Sequence, residues 1–226
     1  DLGAREICNV YGLTECYGNC TLTDAHDPVE ARLSTIGRPL PGFEIKIADP
    51  VTGRPLPPGE IGEITLRGYI TPGYYKDPEK NAAAFDPDGF FLTGDLGWFA
   101  ADGRLRFHGR IKDVVKTGGL NVSPLEVEQI LLGHPAVEQA HVVGVPDPRK
   151  EEALAAVVVL KEGATASAGE LRAFCREALA AFKVPQHVRF LPRQALPLTA
   201  SGKVQKHRLR ERLVAELDAV PADRHG

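Results

Sequence analysis

The chain changes character after about Lys112. Before that point, short runs of strand type are separated by clusters rich in Gly and Pro. "FEIKIAD" (43–49), "GEITLRG" (62–68) and "GRLRFHGR" (103–110) group their apolar residues over a few positions, and "DPVTGRPLPPGE", "DPDG" and "AADG" punctuate them. This pattern predicts a β-rich part built from hairpins, with a short helix over "DPEKNAAAF" (77–85), capped by Asp77 with Pro78 behind it. After Lys112, helical and strand-like segments alternate. "SPLEVEQILLGH" (123–134) reads as an amphipathic helix with Ser123 and Glu126 as a capping box. "VEQAHVVGV" (137–145), "EALAAVVVL" (152–160) and "HVRFL" (187–191) read as strands. "SAGELRAFCREALAAF" (167–182) reads as a helix with Leu171, Phe174, Cys175, Ala178 and Leu179 on one face, and "QKHRLRERLVAEL" (205–217) as a closing helix. The expected fold class is α+β, with the boundary inside the polar, Gly-containing stretch "GRIKDVVKTGG".

Composition excludes several functions. With 226 residues, 43% hydrophobic and 25% charged, the chain is long enough for real cores and reads as a soluble globular protein. A formal charge of −3 argues against a general nucleic-acid binder, and one basic run at 203–212 does not reverse that. The longest apolar run, residues 153–160, has eight residues, against the roughly 20 needed to span a bilayer. Cysteines 8, 16, 20 and 175 do not pair at zinc spacing. They read as free thiols, and a cytoplasmic protein is the expectation. The chain has no methionine and opens in the middle of a pattern, so a piece of a longer protein is expected.

Four stretches can carry chemistry, and each has a plainer reading. In "NVYGLTE" (9–15), Thr14 and Glu15 follow a flexible Gly12. A hydroxyl and a carboxylate there suit a phosphate and its Mg²⁺, or simply a polar exit from a strand. In "FFLTGDLG" (90–97), Asp95 lies in a Thr-Gly-Asp turn. An acceptor-only carboxylate can grip two vicinal hydroxyls of a ribose, or stabilise its own turn. "GRIKDVVKTGGLNVSPLEVE" (109–128) offers the Arg110 fork of donors and the pair Gly118-Gly119, which lets a backbone or slender ligand approach closely, or is only a loop before a capped helix. "PLTASGK" (197–203) puts Lys203 after a Ser-Gly turn, as a surface lysine or as a partner for an incoming negative charge. It is not a Walker P-loop, whose upstream glycine spacing is missing.

Together, and in this order, "NVYGLTE", "GEITLRG", "FLTGDLG", "GRIKDVVKTGGLNVSPLEVE" and "PLTASGK" resemble the successive motifs of the adenylate-forming superfamily. That group includes acyl-CoA synthetases, adenylation domains of peptide synthetases and firefly luciferase. The resemblance runs over roughly residues 7–210. It implies a β-rich distal part of a large AMP-binding domain over residues 1–111 and a small mobile C-terminal domain over 112–226, hinged at Lys112. It implies activation of a carboxylic acid with ATP and Mg²⁺ as an acyl-adenylate, then transfer to coenzyme A. By the same resemblance Thr14 contacts phosphate, Glu15 holds Mg²⁺, and Tyr11 and Gly12 lie along the adenine and acyl pocket. Asp95 binds the ribose hydroxyls with support from Arg110. Gly118 and Gly119 line the pantetheine channel, and Lys203 reaches the carboxylate and α-phosphate.

"KTGGLNVSPLEVE" looks like acyl- or aryl-CoA synthetases, whereas peptide-synthetase domains more usually carry "K-I-R-G-x-R-I-E" here. "PGYYKDPEKNAAAFDPDGFFLTGDLG" (72–97) resembles fatty-acyl-CoA-synthetase-like members, so a fatty-acyl-CoA synthetase type is expected. An aryl-CoA ligase or a carrier-protein-loading domain is the enzyme alternative, and a stand-alone non-catalytic binding module the other. The family's Ser/Thr/Gly-rich phosphate loop belongs upstream of "NVYGLTE", and this chain starts eight residues before that motif. Catalysis by these residues alone is not expected.

Overall fold

The computed structural model describes Gly3 and residues 6–218. The chain divides into two compact units, Asp1–Lys112 and Asp113–Gly226.

The first unit holds two antiparallel sheets. Strands β1 (Val10–Leu13), β2 (Gly18–Leu22) and β3 (Arg38–Pro39) form one, with the short helix α1 (Val29–Ser34) between β2 and β3. Strands β4 (Phe43–Ala48), β5 (Gly62–Gly68), β6 (Phe91–Phe99) and β7 (Leu105–Arg110) form the other in simple sequential order. Helix α2 (Pro78–Ala84) interrupts β5 and β6, and the Asp77 carboxylate caps it by accepting the Lys80 amide. Tyr11, Cys16, Cys20, Ile36, Ile47, Ile64, Leu66 and Leu105 make one core from both sheets.

Two irregularities shape this unit. The β1–β2 register shifts between Tyr11 and Gly12. A Cβ on Gly12 would stand 1.7 Å from the Gly18 carbonyl oxygen, so close backbone approach requires glycine there. In β6, Leu92 faces Thr65 and Leu96 faces Glu63, so four steps along β6 match two along β5. The surplus, at Thr93-Gly94-Asp95, is a bulge. Asp95 therefore lies inside a strand, not in the tight turn that "TGD" suggests. Bulges re-aim side chains, and this one aims Asp95 at the core.

The second unit is a five-stranded sheet between helices. Strands β8 (Val115–Thr117) and β9 (Leu120–Val122) make a hairpin, and helix α3 (Pro124–Leu132) follows. Strands β10 (Val137–Asp147) and β11 (Glu151–Leu160) pair antiparallel. Helix α4 (Ala168–Ala178) leads to β12 (His187–Phe190), which lies parallel to β11, and α5 (Lys206–Asp218) closes the described chain. Leu154, Ala156 and Val158 of β11 pack with Val127 and Leu131 of α3 and Leu171 and Cys175 of α4. Ala153, Ala155, Val157 and Val159 pack on the opposite face with Leu209 and Leu213 of α5. Double-sided burial explains the unbroken apolar run. Alanine favours helix by less than about 1 kcal/mol per residue, while each buried Val or Leu contributes about 1.5–3 kcal/mol, so burial decides for strand.

Helix ends differ from expectation in two places. Ser123 sits at the N-cap of α3 but its side chain makes no cap bond, and Glu126 reaches Lys183 at 2.7 Å rather than closing a capping box. The complete capping box is on α4, between Ser167 and Glu170. α4 also ends at Ala178, which is exposed, where the sequence suggested a helix to residue 182.

Gly12→Ala is expected to destabilise the first unit by about 3 kcal/mol, since backbone would have to move. Trp98, the chain's one tryptophan, lies in β6 and reports on this unit. An unshifted urea midpoint in its fluorescence would contradict the close-approach account.

Candidate functional site

Asp95 is the centre of the first unit's polar cluster. It is 6% exposed, within β6. Its two oxygens have different partners. The Tyr11 hydroxyl donates to Oδ2 at 2.8 Å, and Arg110 Nε lies 3.3 Å from Oδ1. Arg110 stands directly across the β6–β7 ladder from Asp95. The backbone amide of Asp95 donates to Thr93 Oγ1, whose own hydroxyl donates to the Ile64 carbonyl, fixing the bulge from beneath. Burial, reinforced by the Asp95 charge, pushes the Tyr11 phenol well above its usual range. Tyr11 is therefore a donor at any working pH. An ionised carboxylate is acceptor-only, so every partner of Asp95 must be a donor.

A neighbouring acid shares this environment. Glu63 is 8% exposed and its Oε1 accepts the Gly94 amide at 2.8 Å. Burial raises its pKa above the usual carboxylate value, the Gly94 bond pulls it back, and Asp95 raises it further. Sequence reading missed Glu63. No local signal marked it, because strand alternation groups Glu63 with Thr65 and Arg67, opposite the core residues Ile64 and Leu66.

Thr14 and Glu15 begin a single 3-10 turn, Thr14–Cys16, directly after β1. Thr14 is exposed. The Glu15 carbonyl accepts the Thr71 amide at 2.7 Å, and Glu15 Oε1 accepts the Tyr74 hydroxyl at 2.8 Å. Tyr74, also missed from sequence, holds the carboxylate at one oxygen. Oε2 makes no hydrogen bond among the described residues. A half-buried carboxylate with one oxygen held and one open, beside a hydroxyl, fits a Mg²⁺ that takes its other ligands from phosphates and water. No group of three or more His, Cys, Asp or Glu side chains converges for a metal among the described residues. Cys16, the last residue of this turn, and Cys20 of β2 are buried free thiols.

Lys112 is exposed in the 3-10 turn Ile111–Asp113, where the first unit ends. Gly118, Gly119 and Lys203 belong to the second unit. The glycines are the two-residue loop between β8 and β9, with φ of +57° and +77°. Two positive φ values identify a type I′ turn, which alone accounts for glycine. A Cβ at either would meet nothing within 4 Å. Lys203 is exposed on a hairpin in which the Thr199 amide donates to the Lys203 carbonyl and the Lys203 amide donates to Thr199 Oγ1. Thus Tyr11, Asp95 and Arg110 are joined by direct contacts, with Gly12, Thr14 and Glu15 contiguous in chain.

Residues 1–75 match the family described as AMP-binding enzyme, and residues 126–203 match the AMP-binding enzyme C-terminal domain. The chain belongs to the AMP-binding enzyme family. The YngI protein of Bacillus subtilis is 42% identical over 214 residues, covering 94% of this chain and 39% of that protein. The mitochondrial medium-chain acyl-CoA ligase ACSF2 of Danio rerio is 39% identical over 220 residues, covering 96% of this chain and 36% of the ligase. Among solved structures, ATP-bound MatB from Rhodopseudomonas palustris superposes with a TM-score of 0.85 at 38% identity, over 92% of this chain and 41% of MatB. The chain thus spans well under half the length of these AMP-binding relatives. No described helix is long and apolar enough to cross a membrane.

Glu63 supplies a test of the cluster's electrostatics. Its folded pKa is raised above the unfolded value, so the folded state holds its proton longer. Stability is lost as pH rises from the ordinary carboxylate range through the folded pKa. Glu63→Gln keeps the acceptor for Gly94 and removes the charge. It is expected to match the parent near pH 3 and to exceed it by on the order of 1 kcal/mol at pH 7. Urea midpoints by Trp98 fluorescence at both pH values check this, and a parent that is the more stable at pH 7 would refute it.

Proposed function

We propose that this chain forms part of an ATP-dependent acyl-CoA synthetase that activates a carboxylic acid, of fatty-acid type, and passes it to coenzyme A. The observation that carries the reading is the Asp95 cluster. A buried, acceptor-only carboxylate oriented by Tyr11 and Arg110 suits the two vicinal hydroxyls of a ribose, which are both donors. The similarity to a medium-chain acyl-CoA ligase along almost the whole chain supports the acceptor.

The first step is attack of a substrate carboxylate oxygen on the α-phosphorus of ATP. The bond to the bridging oxygen breaks and pyrophosphate leaves. Negative charge spreads over the α-phosphoryl oxygens, and the Lys203 ammonium, delivered by its hairpin, stabilises it. Asp95 orients the ribose, Arg110 buttresses Asp95, and the end of β1 at buried Tyr11 and exposed Gly12 flanks the base and acyl group. Thr14 donates to phosphate. Glu15, fixed by Tyr74, would hold Mg²⁺, which when bound neutralises phosphate charge. In the second step the coenzyme A thiol attacks the acyl carbonyl and AMP leaves. Rotation about Lys112 withdraws Lys203 and brings Gly118 and Gly119 to the pantetheine arm. The proposed compartment is the cytoplasm, with which four free cysteines are compatible.

The test uses the two half-reactions in a full-length enzyme carrying this chain. Lys203→Ala is expected to lower carboxylate-dependent ATP–pyrophosphate exchange by about 100-fold or more. Thioester formation from supplied acyl-adenylate should survive, and equal loss in both would refute the assignment. The glycine hairpin needs a variant that keeps its fold. Asn tolerates positive φ, so Gly119→Asn should preserve the β8–β9 turn and adenylation while slowing transfer to coenzyme A by roughly tenfold. Normal transfer in that variant would leave the glycines with a turn-forming role alone.

A further inference from the structure

Lys203 is exposed, yet a catalytic cation must be held still. Its hairpin is well bonded internally. Leu198 bridges Val204, the Gly202 amide donates to the Thr199 carbonyl, and the Gln205 amide donates to the Pro197 carbonyl. Those bonds fix the hairpin's shape. They do not fix where the hairpin sits on the rest of its unit.

That anchor is one residue beyond Gln205. The Lys206 ammonium lies 2.6 Å from Glu128 Oε1. Glu128 projects from α3 and is 7% exposed, in contact with the sheet. The same Oε1 accepts the Val142 amide of β10 at 2.6 Å. One carboxylate oxygen therefore ties α3, β10 and the start of α5 together. Burial opposes charge on Glu128, and Lys206 and the Val142 amide offset it. Asp113 and His141 are the other titratable groups whose fields bear on the pair. An apolar pair of the same volume would anchor α5 as strongly, because burying two charges costs as much as their attraction returns. The ion pair adds direction. It fixes the first turn of α5 along one donor–acceptor line. Three residues of chain separate it from Lys203, a reach of at most about 11 Å.

We propose that Glu128 and Lys206 are a positioning pair that holds the Lys203 hairpin in register for adenylation. The inference rests on the role given to Lys203 above. Neither residue of the pair is asked to touch substrate.

Two readouts separate this inference from that role. In the present chain, Lys206→Met should raise amide exchange at Lys203 and Gln205 by about tenfold, while central amides of β10 and β11 keep their protection. Lys206→Arg should restore the parent rates. In a full-length enzyme carrying this chain, Lys206→Met should lower ATP–pyrophosphate exchange by roughly 10- to 100-fold, as a displacement of about 1 Å can do. Thioester formation from supplied acyl-adenylate should be spared, and Lys206→Arg should recover most of the loss. If Lys206→Met does not fold, Glu128→Gln replaces it, since the amide still accepts from Val142. Unchanged exchange at Lys203 overturns the inference whatever Lys203 does. Full adenylation in Lys206→Met, alongside a crippled Lys203→Ala, also overturns it. Full adenylation in Lys203→Ala overturns the catalytic role and the inference with it.

Discussion

A carboxylate inside a sheet must be surrounded by donors, and both units are arranged around that requirement. Asp95 lies 6% exposed in the middle of a strand. The Tyr11 hydroxyl and the Arg110 guanidinium both serve it, and a buried charge deprived of its partners costs several kcal/mol. The ladder meets the demand with a bulge that turns Thr93-Gly94-Asp95 inward and with β7 bringing Arg110 opposite. Glu63 takes the Gly94 amide that the bulge frees. In the second unit Glu128 draws on Lys206 and Val142 in the same way. These acids join elements far apart in sequence at fixed distances. Apolar contacts alone would let those elements slide.

The elements were largely legible because their periods are local properties. The Ala-rich β11 was readable as a strand from its β-branched half and its length, although alanine favours helix. The misreadings share a cause. "TGD" has the composition of a turn, and only pairing with β5, some 30 residues earlier, makes it a bulge. Ser123 and Glu126 have capping-box spacing, yet Lys183, 57 residues away, claims the glutamate. Tyr74 and Glu15 are 59 residues apart, and no local pattern joins them. Local sequence states what a side chain can do. Tertiary pairing decides which of its options is taken.

The candidate site was legible in a different way. Each of its stretches, taken singly, had an ordinary structural reading. Their order along the chain narrowed the choice, and the match to both AMP-binding family regions accords with that order. The structure then adds what order cannot supply. Tyr11 belongs to the Asp95 cluster as a hydrogen-bond donor. Glu15 has a fixed and an open oxygen. Lys203 stands on a hairpin tied down through a residue that the motif does not include.

The Gly118-Gly119 loop has a consequence for changing what such an enzyme accepts. Its tip is defined by two backbone angles and presents no side chain, so it has nothing to enlarge, trim or recharge. Point substitution can only spoil its curvature or add bulk to open space. A residue that tolerates positive φ adds bulk at the tip without changing its curvature, whereas insertion or deletion moves the tip itself. On the role proposed above, substitution would narrow the space for a thiol arm and only a change of loop length would reshape it.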